Sequence, residues 1–418
     1  MEGFLEGYKI LDLTDQKGHL CGRILGDMGA DVIKIEPPGG DPARQRGPFY
    51  HDEIDPQKNL NWFFTNANKR GITLDLQNTS GKEIFKQLAA QADLVIESFK
   101  PGTMERLGFG YEQLCEIKPD IIMTSISPFG QTGPYAEYKV TDIVAAAMGG
   151  MVSVFGDADR PPVRITAPQS FFLGSQHGAV GSLSALYHRE MTGDGQWVDV
   201  SMHEAICSTL TYFLQGWEQV QMTRQRSGAN SLKQRPPEIG ALKSQWTYPC
   251  QDGYVCVAVQ GAGGAPIKSG YALVAWANEG GYALDITDYK WETWDSATVE
   301  QSEQERLERA LAPFLASKTK IELLEGAVNR RILLAPVYTV ADLPKNPQIN
   351  FRDYWQPVEH PELGKTLTYP GPSVRVEPCL QKIQQRAPLV GEHNQEIYEA
   401  WLKIPGERIQ QLKAQGAI

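Results

Sequence analysis

The chain has 418 residues, 41% of them hydrophobic and 22% charged, with a formal net charge of −10. That length supports two or three domains with full cores, and the acidic balance argues against a general nucleic-acid or anionic-membrane binder while leaving room for a local cationic site. Six scattered cysteines (Cys21, Cys115, Cys207, Cys250, Cys256 and Cys379) show neither a Cys-x-x-Cys pair nor zinc-ligand spacing, which fits free thiols in a reducing compartment and no metal.

The first residues, MEGFLEGYKILDLT, are acidic and run straight into a strand pattern, so no signal peptide is expected. Tyr8–Leu13 reads as a buried strand, His19–Met28 as a helix and Asp31–Ile35 as the next strand. The alternation continues with Gly71–Leu76 (strand), Ser80–Gln91 (helix), Leu94–Glu97 (strand), Tyr111–Ile117 (helix) and Ile121–Ser127 (strand). Strand–helix–strand units in series predict a doubly wound α/β fold with a parallel sheet. Thr14-Asp15-Gln16-Lys17-Gly18 stands where a dinucleotide-binding Gly-x-Gly-x-x-Gly would follow the first strand, and neither a P-loop nor Gly-x-Ser-x-Gly nor His-Glu-x-x-His occurs.

The apolar run Ile143–Phe155 is too short and too rich in glycine to cross a bilayer, and we expect a cytoplasmic protein. Phe171 to Arg189 reads as a helix poor in bulk, with Gly174, Gly178, Ala179, Gly181 and Ala185. Glycines inside a helix cost about 1 kcal/mol each against alanine, so they predict close packing against another helix or a ligand. A Thr-Gly-Asp-Gly turn at 192–195 then feeds a strand, Gln196–Ser201, and a long helix is expected from Ala205 to about Arg224. Arg224–Glu238 reads as a linker or loop, Trp246–Val259 as a hairpin around Gln251-Asp252-Gly253, and Glu300–Leu315 and Lys318–Arg330 as helices of a smaller second domain. Asn346 to Val376 is proline-rich and extended, and the last forty or so residues form an amphipathic region suited to packing back on the first domain.

Five motifs in order carry a family resemblance: GADVIKIEPPGGDP at 29–42, NKRGITLDL at 68–76, ESFKPGTMERLG at 97–108, FGQTGPY at 129–135 and TGDGQWVDVSM at 192–202. The chain resembles the class III CoA-transferases, which include formyl-CoA- and carnitine-type transferases and α-methylacyl-CoA racemases. The resemblance implies an α/β fold in which both chain ends build a Rossmann-like large domain, with a smaller middle domain, in an interlocked dimer. It places the N-terminal part of the large domain at 1–205, linkers at 206–240 and 336–376, the small domain at 241–335 and the returning C-terminal part at 377–418.

It further implies coenzyme A as substrate, with contact positions at Gln16 and Lys17, Leu74 to Gln77, Ser98, Phe99 and Arg106, and Tyr138 to Thr141, including Lys139. Ser98 stands where the family usually has Asn. Lys69 and Arg70 are divided between phosphate contact and solvated surface. The family's chemistry needs an aspartate nucleophile with Gly ten residues on, Ala-Leu at fourteen and fifteen and Arg at eighteen. Gly181, Ala185-Leu186 and Arg189 put that position at Phe171, so no catalytic residue is expected in this chain. Asp157 and Asp159 read as a solvated turn, Asp142 and Glu204 as structural or supporting, and His177 as packed or capped. Thr141, in place of the racemase histidine, weakens the racemase reading.

The resemblance therefore implies a catalytically impaired subunit whose homologous partner carries the aspartate, moving CoA from a donor such as succinyl-CoA to a carboxylic acid such as (R)-benzylsuccinate. The two-subunit succinyl-CoA:(R)-benzylsuccinate type is its most specific likeness. A self-sufficient acyl-CoA enzyme using another residue, or a non-enzymatic acyl-CoA-binding protein, stays open as an alternative.

Overall fold

A computed structural model describes residues 3–223, 226–236, 238–377 and 382–418; Cys379 and the expected helix end at Arg224 lie outside the described residues. The chain divides into two units. One holds the described residues of Met1–Met151, Arg164–Tyr212 and Pro347–Ile418, and the other holds those of Val152–Val163 and Phe213–Asn346.

The first unit is built on six strands, β1 (Lys9–Leu13), β2 (Asp31–Glu36), β3 (Lys69–Thr73), β4 (Leu94–Glu97), β5 (Ile122–Ser127) and β6 (Trp197–Ser201). All neighbours pair in parallel in the order β3-β2-β1-β4-β5-β6, a doubly wound sheet whose strand order reverses between β1 and β4. The helices in chain order are α1 (His19–Asp27), α2 (Leu60–Asn66), α3 (Thr79–Ala89), α4 (Thr103–Leu107), α5 (Tyr111–Ile117), α6 (Asp142–Met148), α7 (Gln169–Thr192), α8 (Met202–Thr209) and α9 (Thr211–Val220). One face of the sheet buries Leu11, Ile33, Ile72 and Val95 with α3, and the same core takes Ile397, Tyr398, Ile409 and Leu412 from helices near the end of the chain. Tyr398 Oη donates to Thr73 O at 2.6 Å, which ties that terminal segment to β3.

Two expectations are corrected. The third strand begins at Lys69 rather than Gly71, because Lys69 is a fully buried strand residue. The long helix after Ala205 is two helices, α8 and α9, separated at Leu210. The glycines of α7 do serve close packing, chiefly against the sheet. A methyl group on Gly178 would come within 2.7 Å of Ile126 on β5, and one on Gly181 within 2.6 Å of Val198 on β6; Gly174 meets Met202 at 2.6 Å.

The second unit has its own core. A hairpin of Thr247–Cys250 and Gly253–Val257, joined by Leu334–Val337, forms an antiparallel sheet. Helices Gly264–Glu279, Gln301–Ala316 and Lys320–Arg330 bury Leu273, Leu307, Leu311 and Leu323 with it. The proline-rich stretch folds as a hairpin of Trp355–His360 and Lys365–Pro370, within the first unit.

Candidate functional site

A cleft of about 510 Å³ opens beyond the carboxyl ends of β1 to β4, where the strand order reverses. Open α/β sheets bind ligands there because neighbouring loops part in opposite directions and leave a crevice. Lys17, Leu74, Gln77, Ser98 and Phe99 all line it, as do Thr14, Lys34, Glu36, Asp41, Lys100 and Thr103. The two loops at the reversal are bolted together: the Asp15 amide donates to Ser98 Oγ at 2.8 Å, and Ser98 Oγ donates to Asp15 Oδ1 at 2.9 Å. Arg106 is exposed on α4 and bonds Thr103 Oγ1 at 2.7 Å, one turn from the cleft wall. Lys139 is exposed and is not part of that wall. Gln16 faces a different cavity, described below.

The cationic side chains of the cleft are already matched. Lys17 pairs with Asp15, Lys100 with Glu137, and Lys34 with Asp41 at 3.6 Å. Behind the wall lies a buried network that hydropathy could not organise. Lys69 Nζ donates to Asp12 Oδ2 at 2.7 Å, to His19 O at 2.7 Å and to Asn66 Oδ1 at 2.8 Å. Lys69 therefore neither faces solvent nor reaches the cleft, and burial pushes its ammonium down to about 8. Burial alone would raise the Asp12 carboxyl, but Lys69 and Lys34 outweigh it and hold it below its usual value. His19 is driven toward neutrality by burial, although its Nε2 meets Asp41 Oδ2 at 3.2 Å. Arg70 is likewise structural, its Nε donating to Asp31 Oδ1 at 3.0 Å. The signal for this network was Asp12 and Lys34 standing inside apolar strand runs, since charges are buried only with partners.

A second cavity, of about 160 Å³, lies at the head of α7. Phe171 and Phe172 line it with Gln16, His19, Arg46, Asn61 and Trp62, and no Asp or Glu is among its walls. Phe171 is 7% exposed and belongs to the apolar cluster that includes Ile126, Ala179 and Met202. Asp142 accepts the Ser170 amide at 2.9 Å, which makes it a cap for the first turn of α7. His177 is exposed and its Nδ1 bonds Leu173 O at 2.9 Å on its own helix, while Asp157 and Asp159 belong to the second unit. Glu204 is exposed in the first turn of α8.

Among the described residues no group of three or more His, Cys, Asp or Glu side chains could hold a metal ion, and no helix is long and apolar enough to cross a membrane. The model of CoA-transferase family III matches residues 5–394, and the chain belongs to that family. It is 33% identical to a subunit of the succinyl-CoA:(R)-benzylsuccinate CoA-transferase of Thauera aromatica, over 93% of this chain and 92% of that one. It is 32% identical to the succinyl-CoA:mesaconate CoA-transferase of Haloarcula hispanica, over 95% and 96%. A crystal structure of a CAIB/BAIF family protein from Brucella suis superposes with a TM-score of 0.81 at 27% identity, covering 96% of this chain and all (100%) of that one.

Proposed function

We propose that this member of CoA-transferase family III is a catalytically silent subunit of a heteromeric CoA-transferase. It binds CoA or an acyl-CoA in the cleft beyond β1 to β4 and pairs with a homologous chain that carries the aspartate nucleophile. The observation that carries the reading is Phe171 at the head of α7, in a cavity without a carboxylate wall. In the transfer, an aspartate oxygen attacks the donor thioester carbonyl and expels CoA thiolate, leaving a mixed anhydride. The thiolate then attacks the aspartyl carbonyl and releases the donor acid, and the acceptor carboxylate reverses both steps. A phenyl ring has no lone pair for the first attack and cannot become an acyl donor for the second.

The donor and acceptor we infer, succinyl-CoA and a carboxylic acid such as (R)-benzylsuccinate, rest on likeness to the Thauera subunit and the Haloarcula transferase. The pair is cytoplasmic and interlocked, with 1–205 and 377–418 in the large domain, 241–335 in the small one and 206–240 and 336–376 as linkers. Supporting a paired state, α9 buries none of its residues and exposes Leu214, Trp217 and Val220 along one side. Native mass spectrometry of the chain expressed with its neighbouring homologues tests this: a one-to-one complex with an aspartate-bearing chain is expected, and a stable homodimer that ignores such a chain would overturn it.

One observation favours the self-sufficient alternative, since the carboxylate of Asp142 lies beside Ser170, next to Phe171. Asp142→Asn separates the readings: it abolishes exchange by the lone chain if Asp142 is the nucleophile, whereas the subunit reading expects no exchange before or after the change.

A further inference from the structure

Glu97 ends β4 immediately before Ser98 and Phe99, the two cleft residues at the strand reversal. It is 3% exposed and has no ion pair among the described residues. Its Oε2 accepts the backbone N–H of Phe99 at 2.7 Å. Ser125, its register partner on β5, favours the ionised carboxylate and itself accepts Trp197 Nε1 at 3.0 Å, which leaves the Ser125 hydroxyl proton uncommitted to that contact. The other charged groups that bear on it are Glu105 on α4, which repels it, and Lys17 in the loop after β1, which attracts it.

A buried carboxylate without a cation partner is expensive to keep ionised, and a core that needed only shape could use a glutamine. We propose that Glu97 is a positioning residue for the cleft: its ionised carboxylate clamps the Phe99 amide and so sets the Ser98–Phe99 wall against which the ligand lies, and its protonation, which removes the charge from that bond, loosens the wall. Burial pushes this carboxyl up to about 7, so the clamp changes state across the physiological range. The ionised fraction rises with pH, so ligand binding tightens as pH rises through that value. This rests on the reading of the cleft as the CoA site.

The test uses the full chain with selectively ¹⁵N-labelled phenylalanine, read between pH 6 and 8.5, with dephospho-CoA as ligand so that no ligand phosphomonoester titrates in the same range. In the free protein the Phe99 amide resonance is expected to titrate with a midpoint near 7 and to stop doing so in Glu97→Gln. Ser125→Ala, which removes a hydroxyl that favours the ionised form, is expected to move the midpoint to higher pH. Calorimetric affinity for dephospho-CoA is expected to rise about fivefold to tenfold over the same range in the wild-type chain and to stay flat in Glu97→Gln. A Phe99 resonance that does not titrate, or a midpoint unmoved in Ser125→Ala, overturns the inference whatever the ligand does. A titrating Phe99 with no ligand bound at any pH overturns the reading of the cleft, and with it the ligand half of the proposal.

Discussion

Ser98 and Asp15 form a reciprocal pair across the point where the sheet reverses, with the Asp15 amide donating to Ser98 Oγ at 2.8 Å and the hydroxyl donating back to Asp15 Oδ1 at 2.9 Å. The hydroxyl holds the loop after β1 to the loop after β4, and Asp15 in turn engages Lys17. Ser98→Ala strands a partly buried amide and frees the Asp15 carboxylate. That should cost roughly 1–2 kcal/mol of stability and about tenfold in CoA affinity, read by denaturant titration and calorimetry. An unchanged affinity would show that the two loops do not need this bolt.

Glu97 makes stability depend on pH in a stated direction. Its carboxyl sits at about 7 in the folded chain against a usual 4.5. Between those values the folded state holds a proton that the unfolded state has released, so this group's contribution is greatest at or below the lower value and falls as pH rises toward 7. The full difference is on the order of 3 kcal/mol. Glu97→Gln should flatten that slope and leave the chain more stable than wild type at pH 8, measured by urea midpoints across the range. Parallel pH profiles for the two proteins would contradict it.

Gly22 sits on α1 directly over the buried Asp12–Lys69 pair. A methyl group there would stand 2.3 Å from Asp12 Oδ2 and 3.1 Å from Lys69 Nζ. Helix propensity alone favours Gly22→Ala by about 1 kcal/mol, but parting a buried ion pair costs roughly 3–5 kcal/mol. The electrostatic effect wins, and we expect a net loss of about 2–4 kcal/mol in a urea melt. A more stable variant would mean that the pair can shift without cost.

Restoring the nucleophile alone should fail. Phe171 is 7% exposed within an apolar cluster, so Phe171→Asp removes a packed ring and puts a carboxylate among hydrocarbon. The expected loss is roughly 3–5 kcal/mol, with Phe172 still on the cavity wall. Succinyl-CoA:acid exchange by this variant, followed chromatographically, should stay at background. Exchange above background would show a site that lacks only its nucleophile.

The buried strands were legible because a parallel strand covered on both faces is a short apolar run. Leu94–Glu97 and Tyr111–Ile117 have the boundaries the sequence suggested. Lys69 moved the start of β3 because a charge reads as surface until its partners are known: Asp12 is remote in sequence, His19 contributes a backbone oxygen, and Asn66, three residues away, stands on the preceding helix rather than on the strand. Lys17, Leu74, Gln77, Ser98 and Phe99 meet in one cleft because each follows the carboxyl end of a strand that the sheet gathers to one edge. Gln16, the immediate neighbour of Lys17, faces the α7 cavity instead. No periodicity announces that split, since two successive loop residues point into different hollows. The break between α8 and α9 at Leu210 was equally hidden, as no proline or glycine marks it.

The most direct test is a CoA-exchange assay on the purified chain, alone and after mixing with an aspartate-bearing homologue from the same source, using labelled succinate and succinyl-CoA. We predict background exchange from the lone chain and turnover only in the mixture, lost again when the homologue's aspartate is replaced. Sustained exchange by this chain alone would contradict the account.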